Sequence, residues 1–413
     1  MLSKELLIEE FVASNPLSKA AFERARDVLP GGNTRSVFNS LPFPLVLKSG
    51  EGCSVTSLDR RTYTDFISDF TAALYGHSNP VIYDALNEVS TTGFALGGVM
   101  EKEAELGEII RGRIPSMKKI RFCNSGTEAN MYALATAIIF TGRKKILAFD
   151  RGYHGGTISF PDKGNPLNIP HDFVVGKFDN IEETRPLITN DLAAIIVEPL
   201  QCAGGVRPAS KVFLEYLRKA ADEVNAILIF DECVTSRLHY NGMQGLMDIT
   251  PDMTVVGKYM GGGFPFGAFG GRDDIMNLYD PYIHGAEKSL FHSGTFNGNV
   301  FTLTAAIAAS KLVTRDALDR LNALGDRLRI SAQDILQASG FTSISFTGHG
   351  SEIGVHFHGA EAAIVRECFF YFLLKHGFMI GFRGFICLNL LHDDESVDRI
   401  LECIRQFVKD YQR

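Results

Sequence analysis

The chain has 413 residues, 45% of them hydrophobic and 22% charged, enough to bury a large core and too many for one simple domain. A formal net charge of -7, with no cluster of Lys and Arg, argues against a nucleic-acid partner. The seven cysteines are odd in number, scattered and without CxxC spacing, which argues against a disulfide framework or a zinc site. No run of about 18 apolar residues suggests a membrane span and no apolar stretch near the start suggests a signal peptide, so a cytoplasmic location is expected.

In chain order, residues 6–29 read as helical with a break at Asn15-Pro16, and stop at the turn-rich Pro30-Gly31-Gly32-Asn33. Arg35 follows in a loop. It is either a solvated charge or a clamp for a substrate carboxylate, which guanidinium pairs bidentately. Residues 45–55 and 62–66 read as meander strands, and residues 81–91 and 100–113 as helices. Next come a strand from Lys119, the polar turn Asn124-Ser125-Gly126-Thr127-Glu128-Ala129-Asn130, and a helix start. Free amides and the positive dipole end there suit a phosphate, with Ser125 and Thr127 adding hydroxyls; an ordinary N-cap is the alternative.

The strand at residues 146–149 leads to Arg151-Gly152-Tyr153-His154-Gly155, where an aromatic face could stack on a flat heterocycle or simply fill a turn. Residues 193–197 form an apolar strand ending in Glu198, a helix is expected over 211–224, and the apolar run from Asn225 ends in Asp231-Glu232. Another branched run ends in Lys258, then glycines. This alternation predicts βαβ units and a parallel sheet, whose ligand crevice lies beyond the carboxyl ends of its strands. Asp231 and Lys258 would face that crevice. An acid and an amine there suit a cofactor with a cationic ring nitrogen and an aldehyde, pyridoxal 5'-phosphate. The Gly/Phe-rich residues 261–271 read as a packed turn beneath the site. His292 to Asn299 form a second polar loop containing Thr295, either a phosphate donor or a cap for a helix over 301–313. Helices over 316–338, 363–376 and 396–412, with strands at 342–346, 352–358 and 387–391, read as a separate α+β lobe. Arg383, between Gly381-Phe382 and Gly384, is open between a structural ion pair and a second clamp. No HExxH-like run points to metal catalysis, and His356 and His358 have no evident third ligand.

Taken together, Asn124 to Asn130, Tyr153-His154-Gly155, Val197-Glu198-Pro199, Asp231-Glu232, Lys258 and Gly294-Thr295 resemble the class III pyridoxal-phosphate aminotransferases of fold type I. Within that family the chain is most similar to the branch holding glutamate-1-semialdehyde aminomutase and the β-amino-acid (β-phenylalanine type) aminotransferases. Pro30 to Arg35, Thr235-Ser236-Arg237 and Gly294 to Asn299 favour the second kind, whereas Cys233 departs from the aliphatic residue common after the Asp-Glu pair. The resemblance implies an α/β fold: a large domain over residues 60–312 with a mostly parallel seven-stranded sheet, and a smaller α+β domain from residues 1–59 and 313–413. It implies that Lys258 forms the internal aldimine and shuttles the proton, that Asp231 pairs with the pyridinium nitrogen, and that Ser125, Gly126 and Thr127 bind the phosphate. It further implies that Tyr153 covers a ring face, with His154 and Glu198 beside the cofactor, and that Thr295 reaches a phosphate across a homodimer interface. The expected reaction is ping-pong transfer of an amino group from a carboxylate-bearing amine, a β-amino acid, to a keto acid such as 2-oxoglutarate, with Arg35 and Arg383 as the carboxylate clamps. The alternative is intramolecular transfer of the glutamate-1-semialdehyde 2,1-aminomutase type.

Overall fold

The computed structural model describes residues 3–93 and 95–412. The chain divides into two compact units, one built from the stretch up to Asn79 and the stretch from Arg320 onward, the other Pro80–Asp319. The boundaries differ from the sequence reading at both ends. Residues 60–79 belong with the first unit because Thr62–Asp65 pairs there with Ser54–Ser57 on one side and Phe378–Met379 on the other. The second boundary lies inside the helix Arg315–Ala338.

The larger unit is organised by a sheet of β1 (Lys119–Cys123), β2 (Lys145–Phe149), β3 (Asp172–Gly176), β4 (Leu192–Val197), β5 (Ile227–Asp231), β6 (Met253–Gly257) and β7 (Gly267–Gly271). Its strand order is β1-β7-β6-β5-β4-β2-β3. Every pairing is parallel except the two made by β7, which runs antiparallel to both neighbours. Strands β4 to β7 are buried at every position, as expected of a sheet covered on both faces. Alternate residues serve opposite cores. Ile227 and Ile229 join Ala129, Ala133, Ala137 and Phe269 on one face; Leu228 and Phe230 join Phe213, Leu214 and Leu217 on the other. Helix α1 (Gly126–Thr141) covers the first face with alanines that let it lie close. Helix α2 (Lys211–Val224), capped by Ser210 Oγ on the Phe213 amide at 3.2 Å, presents Phe213, Leu214, Leu217 and Ala221 to the second.

Two strands of this sheet escaped the sequence reading. Asp172–Gly176 carries only one fully buried residue and had no apolar run to mark it. Gly267–Gly271 lay within the stretch read as a turn; only residues 258–263 form one, with Gly262 closed against the helix α3 (Val300–Ser310) so that a Cβ there would lie 2.4 Å from the Ala305 backbone. The glycines of β7 are a close-approach device. A Cβ at Gly267 would lie 2.0 Å from the Ser125 carbonyl oxygen and one at Gly270 2.4 Å from that of Lys119. Gly267→Ala is therefore expected to cost about 1–3 kcal/mol, since backbone cannot move aside as a side chain would. Urea denaturation checks it, and an unchanged midpoint would mean that β7 and the Ser125 turn separate freely.

In the smaller unit, Leu47–Glu51, Ser54–Ser57, Thr62–Asp65 and Phe378–Met379 form a four-stranded sheet, and Ile344–His349, Glu352–Phe357 and Phe385–Cys387 a three-stranded one. The last strand sits at Phe385–Cys387 rather than 387–391, where Asn389 and His392 instead make a hydrogen-bonded turn. Helices Lys4–Ser14, Pro16–Arg26, Ala362–Lys375 and Asp394–Tyr411 accompany them. His356 and His358 bond the hydroxyls of Thr347 and Ser345, each at 2.7 Å. Among the described residues no helix is long and apolar enough to cross a membrane, and the seven cysteines are free.

Candidate active site

Three neighbouring parallel strands end in chemistry. Val197 of β4 pairs with Phe230 of β5, and Asp231 of β5 with Val255 of β6, so Glu198, Asp231 and Lys258 leave the carboxyl edge of the sheet side by side. This is where an open α/β sheet collects its ligands. The loop after β2 brings Tyr153 and His154 to the same edge.

Asp231 is nearly inaccessible and fully engaged. Its Oδ2 accepts from Asn130 Nδ2 at 2.8 Å and bonds His154 Nδ1 at 2.9 Å, while Oδ1 accepts the Cys233 amide at 3.0 Å. Burial works against both charges, but the mutual bond outweighs it: the Asp231 carboxyl is held below its usual range and the His154 imidazole above its own. The mutual bond favours the imidazolium–carboxylate form of the pair. With the Cys233 thiol as a further hydrogen-bond partner, the two oxygens are met by four protein donors. Glu198 Oε2 accepts the Tyr153 amide at 2.8 Å, and burial, opposed by the His154 charge, pushes its carboxyl up to about 7. Lys258 opens a short 3-10 turn with φ of 54°. A lysine in the left-handed region directly after a strand is the kind of local strain that gathers at functional sites.

The phosphate candidates lie within the same cluster. Ser125 caps α1, its Oγ accepting the Glu128 amide at 3.1 Å, and the Glu128 carboxylate accepts the Asn124 amide at 2.9 Å. The amides of Gly126 and Thr127 belong to the first turn, where no carbonyl can reach them. A Cβ on Gly126 would lie 2.8 Å from Cys233 Sγ, one on Gly257 3.3 Å from the same sulfur, and one on Gly155 2.3 Å from Thr127 Oγ1. Glycine thus lets the phosphate turn, the Tyr153 loop and the strand before Lys258 meet. Cys233 fills the gap between Gly126 and Gly257, and burial followed by the Asp231 charge holds its thiol well above the ordinary range, so it is a neutral packing group. Tyr153 is 45% exposed beside this cluster.

The remaining candidates have contacts of their own. Thr295 is exposed in a turn that Asn297 ties to Asn124 at 2.8 Å, and it makes no bond to the Asp231 group among the described residues. Arg35 and Arg383 belong to the smaller unit. Arg35 Nη1 lies 2.5 Å from Asp69 Oδ1, with the guanidinium over Phe38 and Phe70. Arg383 is exposed and makes no ion pair among the described residues. Sequence reasoning missed Asn130 as a site residue, although an amide one helical turn after Gly126 on an otherwise Ala- and Ile-rich helix was a signal. It is buried, bonds both Asp231 and the His154 carbonyl, and its own Oδ1 has no partner among the described residues.

A buried carboxylate whose pKa is held low, a glycine-lined helix start and a lysine at the next strand end fit a phosphorylated, cationic heterocycle bearing an aldehyde. The chain belongs to the class III aminotransferase family, whose model matches residues 37–162 and 168–408. It is a pyridoxal-phosphate-dependent transaminase of fold type I. Its relatives include an uncharacterized aminotransferase of Schizosaccharomyces pombe, 41% identical over 98% of this chain and 95% of that protein. Another is the β-phenylalanine transaminase of Variovorax paradoxus, 40% identical over 96% of this chain and 94% of that protein. A crystal structure of the β-phenylalanine aminotransferase from that organism superposes with a TM-score of 0.95 at 39% identity, covering 99% of this chain and 97% of the other.

Proposed function

We propose that the enzyme takes the amino group of a β-amino acid and delivers it to a keto acid such as 2-oxoglutarate in two successive half-reactions, as a homodimer with the active site at its interface. The donor class is supported by the likeness to the β-phenylalanine transaminase over nearly the whole chain. The reaction class rests above all on the buried Asp231–His154 pair at a strand end flanked by Glu198 and Lys258.

When bound, pyridoxal phosphate supplies an aldehyde for the incoming amine and an electron sink for the bond broken at the substrate carbon. Asp231, kept ionised by His154 and oriented by Asn130, would hold the ring nitrogen protonated. Gly126 and Thr127 amides with the Ser125 and Thr127 hydroxyls would take the phosphate, joined by Thr295 of the second subunit, and Tyr153 would lie over the ring. Glu198 would fix the Tyr153 loop through its amide. Lys258 Nζ would hold the cofactor at rest and then carry the proton from the substrate carbon to the cofactor, a transfer that requires it neutral at that moment. Arg35 and Arg383 would take the carboxylates of donor and acceptor.

A panel of α-, β- and ω-amino donors with 2-oxoglutarate or pyruvate tests this reading. The expected result is a requirement for an external keto acid and preference for a β-amino donor, with Arg35→Ala or Arg383→Ala raising the KM for a carboxylate-bearing substrate by about tenfold or more. Turnover without an external keto acid would instead make the protein an aminomutase. An Arg35→Ala enzyme with unchanged kcat/KM for β-amino acids would remove Arg35 from the clamp.

A further inference from the structure

Ser68, Asp69, Phe70 and Thr71 have φ of 48°, 44°, 50° and 82°, a run of four non-glycine residues in the left-handed region. Each is costly for a residue with a Cβ, and such strain persists only where the surroundings over-determine it. They do so here. The buried Asp65 accepts the amides of Ile67 and Ser68 on one oxygen, at 2.8 and 3.2 Å, and bonds His77 Nε2 on the other at 2.9 Å. Ser68 Oγ donates to the Cys387 carbonyl and accepts from Asn389 Nδ2, and the Ser68 carbonyl accepts the Ala73 amide at 2.9 Å.

Glycine would adopt this turn without strain, so the reason for Asp and Phe lies in their side chains. Both are delivered to one guanidinium. Asp69 Oδ1 lies 2.5 Å from Arg35 Nη1, and the Phe70 ring, itself stacked on Phe385 at 5.4 Å, forms with Phe38 the aromatic corner over which Arg35 sits, 5.8 and 4.5 Å from the two centroids. Arg35 Nε and Nη2 have no partner among the described residues. We propose that Asp69, with the left-handed turn that holds it, is a positioning residue for Arg35: it engages Nη1 and leaves the Nε/Nη2 edge set to receive both oxygens of the donor's carboxylate. This rests on the reading of Arg35 as the carboxylate clamp. An arginine spends rotamer freedom to hold a ligand, and a stacked, one-sided anchor removes that cost before the ligand arrives. The anchor acts on carboxylate recognition and not on the chemical step.

The test compares Asp69→Asn, whose side chain also tolerates the left-handed region, with Asp69→Gly, which relieves the backbone, and repeats both in an Arg35→Ala background. Both single variants are expected to raise the KM for a β-amino acid about three- to fivefold with kcat nearly unchanged. In the Arg35→Ala background neither should raise it further. An unchanged or lowered KM in Asp69→Gly, or an equal rise with and without Arg35, overturns the positioning role while leaving the clamp standing. Arg35→Ala with wild-type KM overturns the clamp and the positioning role together.

Discussion

Lys258→Ala is expected to lower kcat/KM by about 10³- to 10⁴-fold, the scale of a lost general acid–base group, with the fold intact. The fold should survive because alanine meets the same left-handed backbone that lysine already accepts at φ of 54°, and Gly262 packs the turn against the Ala305 backbone. Two measurements separate this from a general loss of structure. Borohydride should fix the cofactor covalently to the peptide containing residue 258 in the wild type and not in the variant, and small primary amines should restore part of the turnover by supplying the missing base. A variant that keeps wild-type turnover, or that is still labelled at that peptide, would exclude Lys258 from both roles.

The parts of this site that were legible in the sequence are those whose chemistry coincides with the end of an apolar run. Glu198, Asp231 and Lys258 each close a buried parallel strand, and burial on both faces leaves such strands without alternating polar residues to blur their ends. Ser125 and Gly126 were readable because a cap and a bare amide are local features. The strand Gly267–Gly271 was not, since glycine reports only that something comes close, and the carbonyls of Ser125 and Lys119 that explain it lie far away in the chain. Asp69 was invisible for a similar reason: a left-handed run of Ser, Asp, Phe and Thr contradicts local preference and exists through Asp65, Cys387 and Asn389. Arg35 could be left only as an open alternative because its partner sits 34 residues away with no pattern joining them.

Asp231→Asn is expected to cost about 10²-fold or more in kcat/KM and about 3–5 kcal/mol in stability, because the substitution breaks a buried ion pair from one side. Asp231 accepts hydrogen bonds from Asn130, His154 and the Cys233 amide on two oxygens, with the Cys233 thiol as a further partner. An asparagine offers one oxygen, and its NH₂ would face a donor wherever it is turned. The stability gap should also depend on pH in a direction fixed by His154. In the wild type the His154 pKa is raised in the folded state, so its contribution is complete below the unfolded value of about 6.5 and is lost as pH rises through the folded value. In the variant the leading influence on His154 is burial, which lowers its pKa and makes the charged form a liability at acid pH. The Asp231 contribution is present above the unfolded carboxyl value of about 3.9 and is lost only as pH falls through its depressed folded value. The difference in melting temperature is therefore expected to be largest between about pH 4 and 6.5 and to narrow above the folded pKa of His154. The His154 and Asp231 charges push the Glu198 carboxyl, raised to about 7, in opposite directions, so losing both together moves it less than losing either alone. A gap that is constant from pH 5 to 9 would mean that His154 is neutral in the native protein and that Asp231 is held ionised by its Asn130 and Cys233 donors alone.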